Sequence, residues 1–361
     1  MKTKEKRIFF TKNLLHWNKN KNSRMMPWKG EKDPYKIWLS EIILQQTRVE
    51  QGWDYYNRFL KIFPTIIRLA NASEVRVFKL WEGLGYYSRC KNLIATARFI
   101  AKEKKGKFPD SYEEIRSLKG VGPYTAAAIA SFAFNLPYAV VDGNVFRVLS
   151  RYFGISKDVN SSEGKRIFTA LANELIHQGQ PGIYNQAIMD FGAVVCKPQK
   201  PLCAACPLKK ECVACLQNKV EKLPRKTKPP AKRKRWFSYL IVEHNGKVYV
   251  RKRGKKDIWE NLYEFVLVEG TRKVTIEAIK ASSIFKELGH NNTVQICSVS
   301  KTYQQQLSHQ AIQGYFIHLM TKKAPSLEKY EAVSPEKLAK LPFPRYITRY
   351  LDESGVKAFE R

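Results

Sequence analysis

The sequence predicts a multidomain α plus α+β protein: a helical body over roughly the first 220 residues, then a β-rich domain. Three observations carry this. Apolar residues recur at helical spacing as far as a cysteine-rich stretch, the apolar period changes to two beyond Arg235, and a proline-containing basic run separates the two regimes. With 361 residues, 44% of them apolar and 12% aromatic, the chain can hold two or three domains with cores of their own.

The helical body starts in "DPYKIWLSEIILQQTRVEQGWDYYNRFLKIF". Asp33 is placed to cap and Pro34 to occupy the first helical position, and Trp38, Ile42, Val49, Trp53, Tyr56 and Leu60 then keep helical phase. Further helices fit residues 73–81, 90–104, 112–118, 124–134, 145–152 and 162–177, joined by short Gly- or Pro-containing turns. Residues 219–235, "KVEKLPRKTKPPAKRKR", hold nine basic residues, one acidic residue and three prolines, and read as an extended basic linker. Beyond it, "RWFSYLIVEHNGKVYVRKR" is a hairpin turning at Asn245-Gly246. "TVQICSVSKTY" and "AIQGYFIHLM" form another strand pair, with "QQQLSHQ" read as the connection.

Sixty-four Lys and Arg against 32 Asp and Glu give a net charge of +32. Such an excess opposes compaction by self-repulsion and is better explained by a polyanionic partner, of which nucleic acid is the commonest. A membrane surface is the rival, but no apolar run is long enough to span a bilayer and no basic amphipathic helix stands out. The N-terminus "MKTKEKRIFF" lacks a secretory apolar run, so a cytoplasmic, reducing location is expected. Seven cysteines, five of them in twenty residues, suit a metal site better than a disulfide framework.

Two stretches can carry chemistry. In "LKGVGPYTAAAIASFAF", Gly120 and Gly122 bracket a turn that leads into a helix beginning at Pro123, and the free N–H groups there can grip a phosphate. In "CKPQKPLCAACPLKKEC", gaps of six, two and five residues separate Cys196, Cys203, Cys206 and Cys212. Four thiolates so spaced suit zinc or a [4Fe–4S] cluster, and spacing alone leaves both open. Cys215 falls outside the quartet and reads as incidental.

Taken together, "LKGVGPYTA", Asp142 in "VVDGNVFRVLSR" and the cysteine loop resemble the helix-hairpin-helix superfamily of DNA glycosylases. "PWKGEKDPYKIWLSEIILQQTRVEQ", "WEGLGYYSRCKNL" and "YNQAIMDFGAVVC" narrow the resemblance to the MutY family of adenine DNA glycosylases, densely from Trp28 to Cys212 and more loosely beyond. The resemblance implies a six-helix barrel domain over residues 30–135 and an iron-sulfur domain formed by residues 1–29 and 136–218. It further implies the linker at 219–235 and a Nudix-like lesion-recognition domain over 236–361. It selects [4Fe–4S] as the cofactor on Cys196, Cys203, Cys206 and Cys212. The implied partner is duplex DNA with adenine opposite 8-oxoguanine or guanine, met by a monomer associated with the nucleoid.

The same resemblance implies the site residues. Glu41 matches the family's general acid, and its place in an apolar helix face suits a carboxyl that keeps its proton. Asp142 matches the second carboxylate, which stabilises the oxocarbenium-like sugar, and it also stands where a helix N-cap belongs. Asn144 matches a residue that orients water or a carboxylate beside it. Tyr124 stands where bifunctional relatives carry a Schiff-base lysine; a phenol cannot form an imine, so base removal without efficient strand cleavage is expected. Gln46 and Tyr86 match wedges that enter the base stack around the lesion.

In the C-terminal region, "EAIKASSIFKELG" lacks the acidic signature of a pyrophosphohydrolase, so this domain is expected to read a lesion rather than hydrolyse a nucleotide. The family's Phe-Ser-His recognition loop appears as Leu307-Ser308-His309, with Ser308 and His309 able to donate to a damaged base. Two alternatives share parts of the pattern. A thymine-mismatch glycosylase is disfavoured by Glu41 and the long C-terminal domain, and a non-catalytic damage sensor by the Glu41–Asp142 pair.

Overall fold

The computed structural model describes residues 3–26, 29–47, 49–227, 231–255, 257–289 and 293–354. Pro27 and Trp28, which open one of the motifs above, and residues 228–230 of the expected linker lie outside the described residues. The chain divides into two compact units: residues 1–71 with 92–228, and residues 72–91 with 229–361. Residues 72–91, assigned from sequence to the helical barrel, thus group with the C-terminal sheet.

The helical chain runs through α1 (Thr3–Lys21), α2 (Pro34–Leu44), α3 (Val49–Ile62), α4 (Ile66–Ala70), α5 (Glu74–Trp81) and α6 (Tyr87–Glu103). It continues through α7 (Tyr112–Ser117), α8 (Pro123–Phe134), α9 (Gly143–Phe153), α10 (Ser162–Leu175) and α11 (Pro181–Val194). A 3₁₀ turn over Lys209–Glu211 and α12 (Val213–Leu216) then close the cysteine loop. Asp33 caps α2 by accepting the Tyr35 N–H, with Pro34 at the first position as expected.

The stretch read as one helical run from Asp33 is two helices. It breaks after Leu44, over residues 45–47, where Gln46 takes a left-handed φ of 58°. Apolar phase carries on across the break because both helices pack on one core, which is why the period alone did not reveal it. α1 and α11 were not anticipated either. Their signals were Phe10, Leu14 and Trp17 in one, and Pro181 with Tyr184, Ile188 and Phe191 in the other, each at helical spacing. Phe10, Leu14, Trp17, Tyr184, Ile188 and Phe191 meet in one core with Val148, Tyr152 and Phe168, and Cys196, Cys206 and Cys212 pack against it.

The second unit is built on an eight-stranded sheet: β1 (Arg233–His244), β2 (Lys247–Lys252), β3 (Tyr263–Glu264), β4 (Val266–Gly270), β5 (Val294–Val299), β6 (Tyr303–Gln306), β7 (Gln310–Thr321) and β8 (Glu331–Val333). β1 runs parallel to β7 and antiparallel to β2 and β4. His244 pairs with Lys247 across Asn245-Gly246, both at positive φ, which is the expected hairpin turn. Part of the stretch read as a connection is strand: β6 pairs antiparallel with β7, so only Leu307-Ser308-His309 form the turn. The lengths "EAIK" and "SIFKE" lie in two short helices, α13 (Ile276–Lys280) and α14 (Ser283–Glu287), and α15 (Pro335–Lys340) and α16 (Arg345–Ser354) complete the unit.

The basic run is less of a free tether than its composition suggests. Thr227 donates from its backbone to Asp158, Val159 N–H is received by the Arg225 carbonyl, and β1 begins at Arg233. Arg235 is 6% exposed and pairs with Asp257 and Glu269 at 2.7 Å each, so its charge is spent inside the fold.

Trp17 packs edge-on against Phe191, with ring centroids 5.0 Å apart. Trp17→Ala should lower unfolding free energy by about 3–5 kcal/mol in a chemical denaturation series.

Candidate active site

α2, α8 and the start of α9 bring Glu41, Tyr124, Asp142 and Asn144 around one cavity of about 930 Å³ within the first unit. Gln46, Gly120 and Gly122 line it as well. Glu41 lies on the buried face of α2 and is only 7% exposed. Burial disfavours its charged form and raises its pKa to about 7; the neighbouring Tyr124 hydroxyl offsets part of this, and the charge of Asp142 adds to it.

Asp142 has other surroundings. As N-cap of α9 it accepts Val145 N–H at 2.8 Å and the Asn144 side-chain amide at 2.7 Å. Burial raises its pKa, while these donors and the charge of Arg147 oppose the rise. Two carboxyls thus share a cavity with unlike partners: the donors on Asp142 favour its ionised form, and Glu41 holds its proton near neutrality. Burial first, and then the charges of both carboxylates, push the Tyr124 phenol well above its ordinary value, which leaves it a donor.

α9 also ties this pair to the cysteine loop. Arg147 donates to Asn144 Oδ1 at 2.8 Å, to the Gly192 carbonyl at 2.7 Å and to the Cys196 carbonyl at 2.7 Å. One turn on, Arg151 donates to the carbonyls of Lys197, Pro198, Val220 and Leu223 and to Cys196 Sγ at 3.5 Å. Both guanidinium groups are buried. α11 lies so close that a Cβ on Gly192 would sit 2.7 Å from Asn144 Cβ, so only glycine leaves Asn144 in place.

Burial, and then one another's proximity, raise the thiol pKa values of Cys203, Cys206 (to about 12) and Cys212; Cys196 contributes to all three. Cys215, read as incidental, interacts with Cys203 and Cys212. Among the described residues no three His, Cys, Asp or Glu side chains converge tightly enough for a single metal ion. The chemistry of the donor set, thiols drawn together on a loop braced by Arg151, suits a bound metal or iron–sulfur cluster.

The hairpin before α8 has the geometry for an anion. Gly120 is left-handed (φ 79°), and a Cβ there would meet Asn92 Cβ at 2.6 Å. Gly122 caps α8 without a side-chain hydrogen bond, and nothing lies within 4 Å of where its Cβ would be.

Both residues expected to wedge into a base stack, Gln46 (φ 58°) and Tyr86 (φ 49°), are exposed in left-handed backbone, a state uncommon outside glycine. Tyr86 belongs to the second unit, where its hydroxyl is 3.0 Å from Ser308 Oγ. Ser308 and His309 are exposed at the β6–β7 turn and Leu307 is half-buried.

Sequence reasoning missed several residues here. Arg24, Gln186 and Met189 line the cavity, and fully buried Asp190 receives Arg24 (2.8 Å), Asn22 (2.9 Å), Gln186 (2.9 Å) and Lys29 (3.4 Å). An aspartate in the apolar run "AIMDFGAVV" was the available signal for that hub.

Residues 39–174 match the HhH-GPD superfamily of base excision DNA repair proteins, and residues 238–353 match a NUDIX domain. A solved thermostable thymine-DNA glycosylase is 30% identical and superposes with a TM-score of 0.56 over 60% of this chain and all of its own. A non-covalent endonuclease III–DNA complex, 19% identical with a TM-score of 0.51, shares the fold. Fold and site together define a helix-hairpin-helix DNA glycosylase of base excision repair.

Two adenine DNA glycosylases of Buchnera aphidicola are 37% identical over 72% of this chain and 74% of theirs, and 34% identical over 84% and 83%. That of Rattus norvegicus is 44% identical over 57% of this chain and 41% of its own. The chain belongs to the adenine DNA glycosylase family. No helix among the described residues is long and apolar enough to cross a membrane.

Removing the Arg151 guanidinium would leave the buried Leu223 carbonyl without this donor, at about 1–3 kcal/mol, and release the carbonyls of Lys197, Pro198 and Val220. Arg151→Met should therefore lower the thermal midpoint in a melting experiment.

Proposed function

We propose that this protein excises adenine opposite 8-oxoguanine, or opposite guanine, from duplex DNA. The observation that carries the reading is the unlike pair in one cavity: Glu41, raised to about 7 by burial, faces Asp142, held by donors. A buried base must first rotate out of the helix. Glu41 then gives its proton to N7 of the extruded adenine. The bond between the sugar C1′ and N9 breaks with its electrons going to the base, and positive charge spreads over C1′ and the ring oxygen. The Asp142 carboxylate stabilises that charge, Asn144 holds Asp142 in position, and water adds to C1′ while giving its proton to a carboxylate.

The remaining residues fall into supporting roles. Tyr124 offers a hydroxyl and no amine, so the sugar is not captured as an imine and the strand is left uncut. Gln46 and Tyr86 fill the stack around the unpaired base, Gly120 and Gly122 grip a phosphate, and Ser308 and His309 donate to the base opposite adenine. Cys196, Cys203, Cys206 and Cys212 would hold a [4Fe–4S] cluster, whose iron–thiolate bonds fix the loop and its lysines. The solved thymine-DNA glycosylase spans 60% of this chain and its whole length is matched, so much of this chain has no counterpart in it. The C-terminal domain and Glu41 favour adenine over thymine.

Because Glu41 acts protonated and Asp142 ionised, the single-turnover excision rate should fall as pH rises through about 7, and fall again in acid as Asp142 gains its proton. Glu41→Gln should lose about 10²–10⁴-fold and abolish the alkaline limb; normal adenine release by this variant would remove Glu41 from the mechanism. Borohydride added during turnover should trap no covalent protein–DNA adduct, and an adduct at turnover level would overturn the role given to Tyr124.

A further inference from the structure

The turn that carries Tyr86 is anchored at its base by one carboxylate that the mechanism does not use. Glu82 ends α5 and accepts the Phe343 backbone N–H at 2.7 Å and Lys79 Nζ at 2.8 Å. Lys79 also donates to the Leu341 carbonyl at 3.1 Å, and the Tyr87 hydroxyl reaches the Phe343 carbonyl at 3.5 Å. Phe343 is no loose tail: it is 1% exposed, its ring stacks on Phe265 5.4 Å away, and the neighbouring Pro342 carbonyl receives Tyr263 N–H at 2.8 Å. Glu82 is thus clamped to the sheet side of its own unit.

From that clamp the chain runs only four residues to Tyr86. The turn between them closes on itself: Trp81 Nε1 and Arg89 both donate to the Gly85 carbonyl, at 2.9 and 3.3 Å, and the Arg89 guanidinium stacks over both the Trp81 and Tyr86 rings at 5.3 Å. At its tip, the Tyr86 hydroxyl meets Ser308 Oγ at 3.0 Å. A strained, exposed tyrosine is therefore held from two directions by the same unit, through Glu82 beneath and Ser308 in front.

We infer that Glu82 is a positioning residue for reading the base opposite adenine: its bridge from Phe343 to the residue 83–86 turn sets Tyr86 against Ser308. A carboxylate suits the task because one oxygen can take a backbone N–H while the other takes an ammonium, and charge-assisted hydrogen bonds of this kind resist reorientation. The inference builds on the reading of Tyr86 and Ser308 as the lesion-facing pair, and it predicts an effect on discrimination rather than on chemistry.

The test is single-turnover adenine release by the full chain from two duplexes that differ only in 8-oxoguanine or guanine opposite the adenine. Glu82→Ala should reduce the rate ratio between them about tenfold, as expected when a reading group is displaced. The pH dependence on the guanine duplex should remain that of the parent. Glu82→Gln, which keeps an acceptor for Phe343 N–H, should recover most of the ratio and guards against a misfolded alanine variant. Hydrogen exchange of the backbone amides at residues 83–87 should quicken in Glu82→Ala. A parent ratio above one that neither variant alters overturns the inference alone. A parent ratio of one overturns the lesion reading with it.

Discussion

Everything at the site depends on α9 delivering two jobs from one helix. Its N-cap is a carboxylate facing the cavity, and its next two turns carry guanidinium groups that fasten the cysteine loop. The connection is continuous: Asp142 is held by Asn144, Asn144 by Arg147, and Arg147 by the carbonyl of Cys196, each at 2.7–2.8 Å. Buried arginine is costly unless every donor is used. Here Arg147 divides its donors between Gly143 and Asn144 on its own helix and the distant carbonyls of Gly192 and Cys196, so the carboxylate inherits the rigidity of the loop.

The two carboxyls show how environment separates chemically similar groups. Residue type alone does not separate the roles proposed for Glu41 and Asp142, and their neighbours in sequence, apolar for one and a helix start for the other, only hint at the difference. The difference is that α2 turns Glu41 toward apolar walls and a phenol, whereas a helix N-terminus presents N–H groups to Asp142. That contrast arises from tertiary packing, and it is what a pair of acid and base roles requires.

How much of this could be read in the chain depends on the range of the interaction. Local chemistry was legible: the Asp33 and Asp142 caps, the Asn245-Gly246 turn, and helices ended by Gly or Pro all follow from neighbours a few residues apart. What failed was set by distant partners. The break at residues 45–47 is invisible to apolar period, β6 is drawn into the sheet by β7, and Glu82 and Lys79 find the backbone of residues 341–343. The cavity followed the same rule. Glu41, Tyr124 and Asp142 came from motif resemblance, while Asp190, whose hydrogen-bond partners lie up to 168 positions away, did not.

Keeping a carboxyl dry has a thermodynamic consequence for the whole fold. In the unfolded chain Glu41 would release its proton near 4.5, whereas in the native cavity it does so at about 7. Between those values the denatured ensemble gives up a proton that the native state retains, so alkalinisation drains roughly 3 kcal/mol of folding free energy before the effect levels off. Cells near neutrality therefore keep this protein on the unfavourable side of its own titration, and the scaffold around α2 must be sturdy enough to tolerate an ionisable group that works against it.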